Sequence, residues 1–235
     1  MLHPVWRLIV VSMLLTGMAA AGGCASRRSL TDADRAELRN QPVIHVVHYA
    51  TPTPTVQAPK AHVAPYTNIK LHETPTGSEI QENLGGYDPT LDLARRFGGV
   101  LTRSAGLKNL RIERDADPLP PLKDAKGFQT RYKNGAVLEV WVERWGFHYV
   151  PVDWKTYTLT LSAKARLTRA QDGQVLWSTG SCGYASAGKT FDDRIVLSDL
   201  KSNNSKKAQA KFRQAMGQIA DNCAQQLLQD YSKTK

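Results

Sequence analysis

The stretch Ala136–Gly180, AVLEVWVERWGFHYVPVDWKTYTLTLSAKARLTRAQDGQVLWSTG, carries the clearest local pattern in the chain. Val137 to Trp145 reads as one strand. From Thr156 to Arg169, the residues Tyr157, Leu159, Leu161, Ala163, Ala165 and Leu167 recur at every second position, the period of a strand with one buried face. Asp172-Gly173 is a hairpin-turn pair and leads into a third strand, Gln174 to Thr179. The three together predict an antiparallel meander. Within the first strand, Trp141 and Trp145 are expected to share a face with Glu139 and Glu143, while Leu138, Val140 and Val142 take the other.

Helical signals flank the meander. Downstream, Phe212, Met216, Ile219, Cys223 and Leu227 mark one stripe of a helix over Ser205 to Tyr231. Upstream, Asp88-Pro89 is a helix start, with Asp as cap and Pro at the first helical position, and Gly106 supplies the stop. Leu93, Phe97, Val100, Leu101 and Ser104 fall on one face of that helix. Gly98-Gly99 inside it costs about 1 kcal/mol per residue relative to Ala, which points to close packing against a sheet. Val43 to Tyr49 and Leu107 to Glu113 read as further strands. Thr51 to Pro65, with prolines at 52, 54, 59 and 65, reads as an extended loop, and Thr74 to Gly86 as polar and turn-like. Thr31 and Asp34 suit the cap of a short helix, but the segment is weakly periodic and is read as part of a tether. The expected organisation is a signal at 1–23, a tether at 24–42, one α+β domain at 43–231 and a tail at 232–235. That domain is an antiparallel meander sheet packed against two amphipathic helices, with one disulfide.

The chain has 235 residues, of which 41% are hydrophobic and 22% charged, and this excludes a wholly disordered chain. Its formal net charge of +10 raises nucleic acid or an anionic membrane as partners. The beginning of the chain decides between them. His3 and Arg7 precede an apolar run from Leu8 to Ala21, too short to span a bilayer comfortably and suited to the core of a secretory signal. Ala21-Gly22-Gly23-Cys24 then resembles the lipobox of bacterial lipoproteins, although Ala21 stands where Leu is commonest. The resemblance implies that Cys24 is the acylated first mature residue, carrying palmitate-class chains that hold the protein at a membrane. The other reading is an ordinary signal with a free cysteine close behind. Ala25-Ser26, with no Asp at the second mature position, resembles enteric-type sorting to the outer membrane, facing the periplasm. Nucleic acid is then an unsuitable partner.

Setting Cys24 aside leaves Cys182 and Cys223, an even pair in an oxidising compartment. They are expected either to bridge, pinning the last helix to the sheet edge, or to remain as two buried thiols. Two cysteines with only His148 nearby do not make a four-ligand zinc site, so no metal is expected. His45 and His48 form H-x-x-H, but on a strand they point to opposite faces.

Gly183 to Thr190 matches the phosphate-binding pattern G-x-x-x-x-G-K-[ST], and a strand precedes it. The acids Asp192 and Asp193 would stand beside the anion, and an exported protein meets little ATP. A small-residue loop next to a disulfide is the better account. Glu139 and Glu143, four strand positions apart, lie roughly 13 Å apart, too far for a glycosidase pair. No spacing suggests a Ser-His-Asp or Cys-His set, so neither an enzyme nor a cofactor is expected. What remains are a candidate partner or ligand patch at Trp141, Trp145 and Trp154, and a basic cluster at Lys206, Lys207 and Lys211. The tryptophans pack under a helix or loop, or present an aromatic surface to a saccharide or protein. The lysines are solvated surface, or attract an anionic envelope polymer such as lipopolysaccharide.

The lipobox, the meander with TLTLSAKARLTRAQDGQVLW, the adjacent cysteine and the closing helix resemble a Gram-negative envelope lipoprotein. The likeness is to accessory lipoproteins of α/β type: relatives of the curli-secretion lipoprotein, the penicillin-binding-protein activators and the amino-terminal domain of the translocation protein TolB. It covers Ala136 to Tyr231 and transfers no functional residue. It implies a non-enzymatic accessory or assembly component of an envelope complex. The alternative is a lipoprotein that binds an envelope glycan or lipid.

Overall fold

The computed structural model describes residues 29–57, 74–114, 130–132, 134–150, 153–185, 194–203 and 205–232. The signal segment and Cys24 lie outside these residues. The described strands are β1 (Ile44–His48), β2 (Thr55–Gln57), β3 (Leu110–Arg114), β4 (Ala136–Val150), β5 (Asp153–Arg169), β6 (Val175–Ser178), β7 (Cys182–Ala185) and β8 (Arg194–Val196). The described helices are α1 (Asp32–Arg39), α2 (Gly77–Asn83), α3 (Pro89–Ala105), α4 (Leu197–Lys201) and α5 (Lys206–Ser232).

The long strands β4 and β5 pair antiparallel along nearly their whole length, and β6 pairs antiparallel with β5, so the meander is present. The sheet as a whole is mixed, which corrects the expected antiparallel architecture. Its order is β3-β1-β4-β5-β6, and β1 is parallel to both β3 and β4. The cause is the crossover: α2 and α3 carry the chain back to the starting end, so β3 runs alongside β1 in the same direction. β1 also bears the mark of a parallel strand, with apolar residues on both faces. Ile44 and Val46 join the main core, while Val47 and Tyr49 join a second cluster.

The helices cover one face of the sheet. Leu93, Phe97 and Leu101 of α3 and Phe212, Met216, Ile219 and Leu227 of α5 are buried against Val46, Leu138, Val140, Phe147 and Leu161. Asp88 caps α3 by accepting from the N–H groups of Thr90 and Leu91, and Gly106 ends it at φ 65°. Gly98 permits close approach, since a Cβ there would stand 3.4 Å from Leu110 Cδ2.

The stretch read as tether forms α1, with a capping box between Thr31 and Asp34, and it buries Leu30 and Leu38 in the main core. Likewise α2 rises from the segment read as turn-like, behind a capping box of Thr76 and Glu79. Five described helices therefore replace the expected two. Cys182 on β7 and Cys223 on α5 form a disulfide across 41 residues of sequence, with Cα atoms 5.5 Å apart. Among the described residues, no helix is long and apolar enough to cross a membrane.

Candidate functional site

The irregularity in β4 decides what the outer face of the sheet presents. The β4–β5 register shifts between Val142 and Arg144, leaving Glu143 as an extra residue. A bulge of this kind reverses the alternation that follows it. Trp145 is thereby turned to the helix side, where it is 2% exposed and meets Phe212 at 5.1 Å between ring centroids. Its indole N–H donates to Pro52 O at 2.5 Å. The expectation that Trp145 shares a face with Trp141 is corrected by this one residue, and of the two readings of the tryptophans Trp145 follows the one in which it packs under a helix.

Trp141 stays on the outer face, half-buried, with the Arg166 guanidinium 6.0 Å from its ring centre. Only the backbone of Trp154 is described, at the start of β5. Lys206, Lys207 and Lys211 lie at the beginning of α5, in the helix layer, and Lys207 is 3.1 Å from Asp199. Trp141 therefore lies across the sheet from the lysines, while Trp145 packs against Phe212 of the helix that carries them.

Beside Trp141 lies a polar cluster. Glu139 is fully buried and accepts from Arg166 Nε at 2.6 Å and Nη2 at 2.8 Å. It also accepts from the Tyr49 hydroxyl at 2.7 Å and the Thr168 hydroxyl at 3.2 Å. The planar guanidinium fits the carboxylate as a two-pronged donor. Glu139 and Arg166 are register partners, so the pair locks β4 to β5 while Tyr49 ties in the chain leaving β1. Glu143 is held separately by Lys164, 2.5 Å away, and by the Ser162 hydroxyl. The two carboxylates thus have different partners.

Past the bulge, the outer face opens into a depression of about 820 Å³, lined by Thr55, Arg144, His148, Thr160, Ser162 and Ser181 among others. Gly146 is the reason β2 lies so near. A Cβ there would stand 2.3 Å from Thr55 Oγ1 and 2.5 Å from Thr55 O. Its polar groups are mostly hydroxyls, and Trp145, Leu161 and Tyr184 supply an apolar part of the lining. Ser162 and Ser181 Oγ atoms are 2.8 Å apart. His148 Nδ1 is 2.5 Å from Gln57 Oε1, and its Nε2 is 3.1 Å from Thr160 Oγ1. An amide oxygen only accepts, so Nδ1 carries the hydrogen toward Gln57, while the Thr160 hydroxyl beside Nε2 donates to Gly146 O at 3.4 Å. The group behind the imidazole is an amide rather than a carboxylate. Such a surface offers hydroxyl, imidazole and guanidinium contacts to a polar ligand.

A second feature lies on the opposite layer. Arg95, Arg96 and Arg103 line a groove of about 490 Å³ along the seam of α3 and α5, together with Gly99 and Gly217. Arg96 is held by Asp92 at 3.0 Å, and Asp221 also lines the groove. These arginines were legible in principle. Arg95-Arg96 and Arg103, two helical turns on, sit opposite the apolar stripe of α3.

His45, on the outer face, is 2.7 Å from Glu113, while His48 is buried on the helix side, 3.9 Å from Asp88. Burial holds the His48 imidazole below its ordinary value of 6.5, with Asp88 opposing and Arg114 and Arg95 adding to the effect. Among the described residues, no His, Cys, Asp and Glu group is arranged to hold a metal. Gly183 lies in β7, and residues 186–190 of the phosphate-loop pattern lie outside the described residues.

No protein-family model and no curated protein matches the chain. Among solved structures it is similar to the PelC dodecamer from Paraburkholderia phytofirmans, at 15% identity and a TM-score of 0.35, over 80% of this chain and 95% of that one. It is similar to lipoprotein GNA1162 from Neisseria meningitidis, at 15% identity and a TM-score of 0.31, over 63% and 87%. A protein described as a neuraminyllactose-binding hemagglutinin homolog from Helicobacter pylori is similar at 10% identity and a TM-score of 0.35, over 81% and 85%. Likenesses this distant assign no function.

Proposed function

We propose that the chain is an envelope lipoprotein, held at the outer membrane by an acylated Cys24, with its domain in the periplasm. There it serves as a non-enzymatic accessory or assembly component of an envelope complex. The observation that carries this reading is the bridge between Cys182 and Cys223, buried between β7 and α5. Such a bond persists in an oxidising compartment and is rare in a reducing one. With it goes the sequence Ala21-Gly22-Gly23-Cys24 behind an apolar run. The outer face suits binding better than catalysis, because the imidazole of His148 has Gln57 and not a carboxylate behind it. Crosslinking in intact envelopes followed by mass spectrometry tests the reading. A reproducible protein partner is expected, and recovery of none would count against it.

The hydroxyl-lined depression supports a second reading, in which the ligand is an envelope glycan or lipid. Retention on lipopolysaccharide or peptidoglycan, weakened by Arg144→Ala, is the expected result there. Equal retention of the variant would remove the depression from the account.

A further inference from the structure

The two edges of the sheet differ. At one, β5 is covered in turn by β6, β7 and β8, strands of 4, 4 and 3 residues, with a register shift at β6. An edge broken in this way resists pairing with another chain. At the other edge lies β3, an unbroken strand Leu110–Arg114 with no proline and no lysine. Among the described residues, no strand pairs with its outer side.

The backbone phase of that side follows from one bond. Ile44 N–H donates to Asn109 C=O, so the odd-numbered residues of β3 turn their backbone groups toward β1. Strand alternation then directs the N–H and C=O groups of Leu110, Ile112 and Arg114 outward. The side chains are self-complementary about the middle residue. In an antiparallel pair centred on Ile112, Arg111 of each copy faces Glu113 of the other, and the two Ile112 side chains meet. Ile112 is 41% exposed, and it is the exposed large apolar side chain among the described residues. Glu113 is held at this edge by His45 Nδ1 at 2.7 Å.

We propose that β3 is a self-association edge, at which a second copy of this chain pairs antiparallel through Leu110–Arg114 to continue the sheet across a two-fold axis. Opposite charges set directly across a sheet stabilise the pair and like charges oppose it. The two-fold presents each Arg111–Glu113 contact twice, as an isologous interface requires. A parallel pairing in register would instead set Arg111 on Arg111 and Glu113 on Glu113. The sequence Leu-Arg-Ile-Glu-Arg therefore selects the antiparallel arrangement.

The test uses the full-length chain expressed in cells, with Ile112→Cys as the reporter and a short thiol-to-thiol crosslinker applied to envelope fractions. Gln218→Cys, at an exposed position of α5, is the collision control. A crosslinked dimer is expected with Ile112→Cys and not with the control. Adding Arg111→Glu sets like charges across the axis and is expected to reduce the dimer at least about tenfold. The exchange Arg111→Glu with Glu113→Arg restores complementarity and is expected to restore the dimer. Circular dichroism and an intact Cys182–Cys223 bridge establish that each variant is folded. The proposal is overturned by the absence of a dimer in the folded Ile112→Cys protein. It is equally overturned by a dimer indifferent to Arg111→Glu, by failure of the folded exchange variant to restore it, or by capture of a different protein at Ile112→Cys.

Discussion

The two faces of the sheet solve the same burial problem by different chemistry. On the helix side, Trp145, Phe147 and Phe212 meet edge to face, with ring centroids 5.1 to 5.9 Å apart. That contact is apolar, forgiving in its details and enforced by shape. On the outer side, Val47, Tyr49 and Val137 surround a buried carboxylate whose partners are fixed atom by atom. The apolar face makes the domain cohere. The polar cluster sets register, and beyond the bulge the same face becomes a hydroxyl-lined surface.

This contrast can be tested most strongly by removing one member from each side. Phe212→Ala is expected to cost about 3–5 kcal/mol by opening a cavity. Arg166→Ala is expected to cost a similar amount, about 3–5 kcal/mol, because Glu139 is left buried without its cation. The two losses differ in how they are repaired. Glu139→Leu with Arg166→Met should recover most of the second loss. Urea unfolding checks this, and a double variant as unstable as Arg166→Ala would show that the pair contributes more than its own neutralisation.

Next in size is the bridge between α5 and the sheet edge. Cys182→Ala with Cys223→Ala opens a loop of 41 residues and is expected to cost about 4 kcal/mol in the chain-entropy model. Thermal unfolding of the double variant, compared with reduced wild type, measures it. If the two transitions coincide with that of the oxidised protein, the helix layer is held without the bridge.

A smaller effect is expected at Gly146. An alanine methyl there meets Thr55, so β2 has to move away from β4, at about 1–3 kcal/mol. A melting temperature unchanged in Gly146→Ala would mean that β2 contributes little to the outer face. The smallest effect concerns pH. Burial depresses the pKa of His48 below its ordinary 6.5, so the folded chain binds this proton less readily than the unfolded one. Stability from this group is full above the ordinary value and declines as pH falls through the depressed one. Melting curves taken from neutral to acid pH should show that decline, and His48→Gln should flatten it.

The sequence disclosed elements better than neighbours. Strict alternation from Tyr157 to Leu167, the Asp-Gly turn, the Asp88-Pro89 start and the stripe ending at Leu227 are local signals, and each survives in the structure. Parallel pairing of β1 is a long-range outcome. Its trace was the near-continuous apolar run from Val43 to Tyr49, which buries both faces. The short elements α1 and α2 were marked by their capping boxes, but each is held by a few buried residues that periodicity does not weigh. The bulge at Glu143 has no local sequence sign, and that single residue decided where Trp145 points. The same residue divides the tryptophans, leaving Trp141 on the outer face while Trp145 packs against Phe212 of the helix that carries the lysines. Arg144, His148 and the hydroxyls around Gly146 gave no pattern that the sequence alone would group.

Both faces and both edges act from a domain proposed to stand at a membrane, so the anchor is the premise on which the rest depends. Metabolic labelling with an alkyne analogue of palmitate, followed by capture of the full-length chain, tests it directly. The account predicts label on the wild-type chain in the membrane fraction and none on Cys24→Ser. Label persisting in Cys24→Ser, or a wild-type chain that carries none, would contradict it.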